Sequence, residues 1–350
     1  MLATQISAVT AHKAVTTPLS PVPDWKQIIG SAEPFLQAVG CCLADQIHAF
    51  DKEIAVYARY ALTGQGKQLR PALVALSGLA TGRTNDSHVL AAVIVEMVHL
   101  ATLVHDDVMD EGQIRRGRPT LAANWGNEIS VLLGDCLFAH ALKLAASFPT
   151  PEICRAVAAA TNTVCSGEIL QTQRQKNFEL SRAEYFKVLS MKTGELFALS
   201  CDLGAFLSEA RPAERADLRQ FGLALGTAYQ IYDDCLDLFG SEKAAGKSLG
   251  TDLAKGKMTL PMIWLLEQAS ATERKKIEGL VQDWDPACFP HVLAMLKTHE
   301  ALNESRRAAN QYLQDARKTL IRLPESDGRA SLGGLVDYLA QQMESLRGSS

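Results

Sequence analysis

The sequence has no Cys-x-x-Cys pair and no zinc-ligand spacing, although it carries eight cysteines. Scattered thiols in a 350-residue chain are expected to be reduced and mostly buried, as in a cytoplasmic protein. It also lacks a strong excess of either charge. A net charge of −4 with a pI near 6.1 gives no sign of a nucleic-acid surface, so no nucleic-acid partner is expected. The first 23 residues contain no acid and no arginine and end in a proline-rich stretch, so residues 1–24 read as a flexible lead-in rather than a transit peptide. The most apolar run, Val89 to Val104, is interrupted by Glu96 and His99 and falls short of the about 20 residues that span a bilayer. No transmembrane segment is expected, and a helix apolar nearly all round belongs at the centre of a bundle.

Sustained two-residue alternation is missing as well, and with it the signature of a sheet. Instead, segments such as "SVLLGDCLFAHALKLAASF" and "ADLRQFGLALGTAYQIYDDCLDLFG" carry apolar residues at three- and four-residue spacing, separated by short breakers. No solenoid repeat and no long Gly/Ser or Pro linker divides the chain, which predicts one all-α domain over residues 25–347.

Polar chemistry is concentrated at two places. In "LVHDDVMDEGQIRRGRPT", Asp106 and Asp110 lie about 40° apart on a helix, a like-charge spacing that normally destabilises it. "YQIYDDCLDLFG" repeats the pattern with Asp233, Asp234 and Asp237, again behind core-like sequence. One such cluster reads as a solvated helix end; two behind buried helices call for a counter-charge. Carboxylates facing each other across a bundle suit hard cations, and Mg²⁺ in particular, because it leaves positions for water and phosphate oxygens. Asp106, Asp107, Asp110, Asp233, Asp234 and Asp237 are therefore the candidate metal ligands. Basic residues recur nearby: Lys67 and Arg70 in "GKQLRP", Arg115 and Arg116 after the first cluster, Lys192 in "KTGELF", and Lys247 and Lys257 in "GKSLGTDLAKGKMTLP". "GQGKQLR" is no P-loop, since the Walker spacing and the following Ser or Thr are missing. Together these groups suggest two diphosphate sites, one on metal and one on basic side chains.

With these blocks in view, the chain resembles the trans-isoprenyl diphosphate synthases, the polyprenyl synthetase family. "GKQLRP", "EMVHLATLVHDDVMDEGQIRRGRPT", "NWGNEISVLLGD", "GEILQ", "KTGELF", "YQIYDDCLD", "GTDLAKGKMTLP" and "LVDYL" match it in order. Tyr229 stands where the family usually has Phe, and Ser130 where it has Ala. The resemblance implies an isoprenoid-synthase bundle with a central cavity, a homodimer, and three Mg²⁺ ions per site when substrate is bound. It implies that an allylic diphosphate binds through metal on Asp106, Asp110 and Asp233, with Arg115, Lys192 and Lys257 sharing its charge. Isopentenyl diphosphate would lie on Lys67, Arg70, His99 and Arg116, with Lys247 a further candidate contact. Thr193 and Gln230 would turn their oxygens toward the developing cation, while Glu168 and Gln171 would serve as structural hydrogen-bonding groups. His99 also shares the helical phase of Asp106.

Product length in such enzymes depends on side chains below the first aspartate motif. Here Thr102 and Ala101 are small, Val98 is modest, and no aromatic plugs the helix; Phe138 on a neighbouring helix is the candidate deeper floor. A long-chain product is expected, with geranylgeranyl diphosphate as the shorter alternative. Two rival readings remain, a class I terpene cyclase and a non-catalytic subunit of a heteromeric synthase. The second intact Asp-Asp-x-x-Asp block argues against both.

Overall fold

The computed structural model describes residues 24–63, 66–242 and 249–346; Lys247 and nearly all of the lead-in at residues 1–24 lie outside them. The described residues form a helical bundle around one long central helix, Asp86–Met109. Asn85 starts that helix by accepting the Ser87 and His88 backbone N–H groups, two of the donors that a helix start leaves unpaired. His88, fully buried, then meets the Gly204 carbonyl at 3.1 Å and ties this helix to Glu195–Leu207. At 24 residues the central helix is longer than its most apolar run suggested, and by length and composition it is long enough to cross a bilayer. Its apolar surface is spent on the protein core instead: Ile94, Val95, Val98 and Ala101 are buried against Leu133, Leu137, Val157 and Leu199.

A second layer is built on Pro212–Phe239, the longest helix, which packs on Glu195–Leu207 and Ala301–Leu320. Gly222 and Gly226 make the first contact possible, because a Cβ at either position would drive into Phe197. The C-terminal helix Asp327–Ser345 closes the bundle against Leu69–Thr81.

One element departs from the all-helical expectation. Ile114–Arg115 and Arg118–Pro119 form a two-stranded antiparallel ribbon. Arg116 and Gly117 sit at its turn with φ of +53° and +74°, the positive pair that a type I′ turn requires. Tyr60 clamps the ribbon: its hydroxyl donates to the Pro119 carbonyl at 2.6 Å, and its ring lies under the Arg118 guanidinium. Strands of two residues are too short to leave an alternating pattern in the sequence.

Candidate active site

Both aspartate clusters lie at the C-terminal ends of their helices. Unpaired carbonyls make that end partly negative, so added carboxylates are unfavourable there by about 0.3–1 kcal/mol each unless cations answer them. Cations do answer. Asp107 is buried and accepts the Arg115 Nε–H at 2.7 Å. Burial still raises its carboxyl above the usual value, with Arg115 opposing. Asp110 receives two ammonium groups, Lys255 at 3.1 Å and Lys257 at 3.2 Å. Burial alone would raise Asp110, but Lys257 and then Lys255 overcome it and hold the carboxyl below its ordinary range. Asp106 remains half-buried and faces Lys192: burial of that lysine favours its neutral form, yet the charges of Asp106 and Glu168 keep it firmly protonated.

Lys192 and Thr193 stand on a single π-helical turn, Ser190–Gly194, inserted between two α-helices. Such one-residue bulges turn side chains out of the regular helical phase. The Lys192 ammonium lies 2.8 Å from Glu168 and donates to the Gln171 amide oxygen at 3.0 Å. Gly167 lets Pro151–Gln173 approach closely enough for this, since a Cβ there would come within 2.9 Å of the Lys192 backbone nitrogen.

On the second helix the three aspartates have separate partners. Asp233 lines a cavity of about 690 Å³. Asp234 is buried and accepts from the Tyr185 hydroxyl at 2.6 Å and the Gln230 amide at 2.9 Å. Burial and the charge of Asp252 raise its carboxyl despite those two donors. Asp237 anchors the following loop, accepting the Thr251 hydroxyl at 2.7 Å and the Asp252 backbone N–H at 3.1 Å. That anchor positions the stretch from which Lys255 and Lys257 reach back to Asp110.

The cavity that Asp233 lines also receives Lys67, Arg70, Glu96, His99 and Arg116, with Tyr229, Tyr232, Tyr338 and Leu335 on its other walls. Arg70 stacks on Phe197 and leaves its buried Nε–H without a protein acceptor, an arrangement suited to an anion. Burial and the charges of Arg70, Arg116 and Arg115 push the His99 imidazole well below its ordinary value, so it is neutral. Burial raises Glu96, with Arg70 and Arg116 opposing.

Among the chain-length candidates, Val98 and Ala101 are buried in the core, and Thr102 donates to the His99 carbonyl at 2.7 Å. Phe138 lies beside His105, with ring centroids 5.7 Å apart. His105 precedes Asp106 by one residue and packs against Gly134 on the helix that carries Phe138.

The donor chemistry fits a hard divalent cation, with six carboxylates at the negative ends of two helices. Among the described residues no three acidic, His or Cys side chains yet converge closely enough to hold one; ammonium groups stand against Asp110 instead. Sequence reasoning missed Lys255, Glu96 as the partner of the arginines, and Tyr185. No local spacing marks them, because each meets its partner only through folding.

Acidic helix ends facing ammonium groups, beside a deep basic cavity in a helical bundle, define an enzyme that handles diphosphates. The polyprenyl synthetase family model matches residues 51–297. The chain is 34% identical to octaprenyl diphosphate synthase of Haemophilus influenzae over 310 residues, 88% of this chain and 94% of that one. It is equally identical to heptaprenyl diphosphate synthase component 2 of Bacillus subtilis over 284 residues, 80% of each chain. Among solved structures, the polyprenyl synthase of Caulobacter crescentus complexed with calcium and isoprenyl diphosphate superposes with a TM-score of 0.87 at 30% identity, covering 95% of this chain and all of that one. The chain belongs to the polyprenyl synthetase family. It is a prenyltransferase, a trans-polyprenyl diphosphate synthase, and its relatives do not favour a cyclase.

Proposed function

We propose that the chain adds isopentenyl diphosphate head-to-tail to an allylic diphosphate and repeats the addition to a long-chain product. Asp106, Asp110 and Asp233 would hold Mg²⁺, with Asp107, Asp234 and Asp237 in or near that shell. When bound, the metal would supply positive charge to the departing diphosphate. The calcium and isoprenyl diphosphate in the Caulobacter relative support a divalent-cation site of this kind.

Lys192 and Lys257 share the charge that develops as the allylic C–O bond breaks, and Arg115 steadies Asp107 beside them. Thr193 and Gln230 turn oxygens toward the allylic cation. Lys67, Arg70, His99 and Arg116 keep isopentenyl diphosphate in the cavity that Asp233 borders, where its double bond attacks. The proton then lost from the new five-carbon unit passes to the released diphosphate. Packed helices around the site exclude the water that would quench the cation. We infer that the enzyme acts as a homodimer, as its family resemblance implies, and in the cytoplasm, as its scattered, unpaired thiols suggest.

The observation that carries this reading is the buried, acceptor-free Nε–H of Arg70 in a basic cavity bordered by Asp233. Purified chain incubated with isopentenyl diphosphate and each allylic starter, with Mg²⁺ and then with excess EDTA, tests it. Metal-dependent products longer than geranylgeranyl diphosphate are expected. Release of diphosphate from the allylic substrate alone would mark a cyclase, and inactivity of the chain by itself would mark a subunit that needs a partner.

A further inference from the structure

From the hydrogen bonds around Asp234 we infer that Tyr185 is a positioning residue for the condensation, aligning Gln230 and Thr193 through the Asp234 carboxylate. The inference rests on the reading above, in which Gln230 and Thr193 present oxygens to the allylic cation.

Three bonds run in series. The Tyr185 hydroxyl donates to Asp234 Oδ2 at 2.6 Å. Gln230 Nε2 donates to Asp234 Oδ1 at 2.9 Å, and the Thr193 hydroxyl donates to Gln230 Oε1 at 2.7 Å. Each direction is dictated by the one before it. Burial pushes the Asp234 carboxyl up to about 7, and in its ionised form it only accepts, which turns the Gln230 amide nitrogen toward Asp234 and its oxygen away. An amide oxygen also only accepts, so the Thr193 proton must point at it. The lone pairs of both groups are then left for the reacting side, and the two N–H bonds that would repel a cation are held off it.

Tyr185 is the fixed end of this series. It is 4% exposed, on the short helix Arg182–Leu189 that runs directly into the π-helical turn carrying Thr193. Burial and the neighbouring Asp234 charge keep its hydroxyl protonated, with the Leu260 backbone N–H opposing as a donor to the same oxygen. The phenolic proton goes to the Asp234 carboxylate, its acceptor at 2.6 Å. Without the hydroxyl, one buried carboxylate oxygen loses its donor, and Asp234 can rotate to share Gln230 between two oxygens. The amide is then no longer held in one orientation.

A double-mutant cycle tests this. Tyr185→Phe should lower kcat by about ten- to a hundredfold, the range expected from losing a buried hydrogen bond to a charged group, while KM for isopentenyl diphosphate changes less than about twofold. In a Gln230→Leu background the same substitution should cost almost nothing, because the group being aligned is gone. A merely structural role for Tyr185 would give multiplying losses, and that result would overturn the inference while leaving the role of Gln230 intact. If Gln230→Leu alone kept full kcat, the reading of Gln230 would fall and the inference with it. Thermal unfolding of each variant is followed alongside. Should Tyr185→Phe be unfolded at the assay temperature, the cycle is run at a lower temperature at which all four proteins are folded, where losses that multiply again count against the relay.

Discussion

At the scale of single residues, His99 shows how the cavity sets a charge state. Burial and three nearby arginines hold its imidazole well below the usual range, so it offers a neutral ring where an ammonium-like one would crowd Arg70 and Arg116. In the unfolded chain the same ring takes up a proton near pH 6.5. Below that pH the unfolded state therefore binds more protons than the folded one, and stability falls as pH drops. His88 and His140, also lowered by burial, act with the same sign. Buried carboxylates raised by burial, such as Glu96, act with the opposite sign. The contribution of His99 is thus read as a difference. Between about pH 7.5 and about pH 5.5, Tm should fall less in His99→Gln than in the wild type. Parallel Tm–pH curves for the two proteins would show that His99 is not a source of the slope.

Elements decide which side chains meet. The π-helical turn at Ser190–Gly194 presents Lys192 to Glu168 and Thr193 to Gln230, and it can do so only because Gly167 leaves room for its backbone. Gly167→Val should push the two helices apart and lower kcat by about tenfold or more, with a smaller effect on isopentenyl diphosphate KM, since that cavity lies elsewhere. Equal losses in both parameters would instead indicate general loosening. On the central helix, the small side chains of Ala101 and Thr102 lie about one to one and a half turns before Asp106. Ala101→Phe should fill the space below the motif and shift the product mixture toward farnesyl and geranylgeranyl diphosphate. Chromatography of dephosphorylated products reads this directly, and an unchanged length distribution would rule out Ala101 as a limit on product length.

Across the whole molecule, the two aspartate helices are bridged through the loop at Gly250–Lys257. Asp237 anchors it at one side, and Lys255 and Lys257 reach Asp110 at the other. A ligand that binds both helices in the folded state, and neither in the unfolded chain, stabilises by mass action, about 2.7 kcal/mol at a hundred times its Kd. Mg²⁺ with pyrophosphate should accordingly raise Tm by several degrees, and EDTA should reverse the rise. Asp106→Ala and Asp233→Ala should each unfold near the metal-free wild type and lose most of the ligand-induced shift. A full shift in either variant would remove that residue from the proposed cation site.

Much of this was legible in the linear chain. Helical class follows from apolar spacing alone, because a buried helix must repeat every three or four residues wherever it lies. The paired Asp-Asp-x-x-Asp blocks were visible for a similar reason: residues four apart share a helix face before any tertiary contact forms. Tertiary structure decided the rest. The ribbon at Ile114–Pro119 is too short for a period, and its turn puts Arg116 at φ +53° for a position no propensity favours. A π-helical turn leaves the apolar pattern on either side unchanged, so the exit of Lys192 and Thr193 from the regular phase had no local sign. Lys255 against Asp110, Glu96 beside Arg70 and Tyr185 on Asp234 join segments far apart in the chain. Such pairs depend on how closely two backbones approach, which the glycines at 167, 222 and 226 permit and only the packed bundle determines.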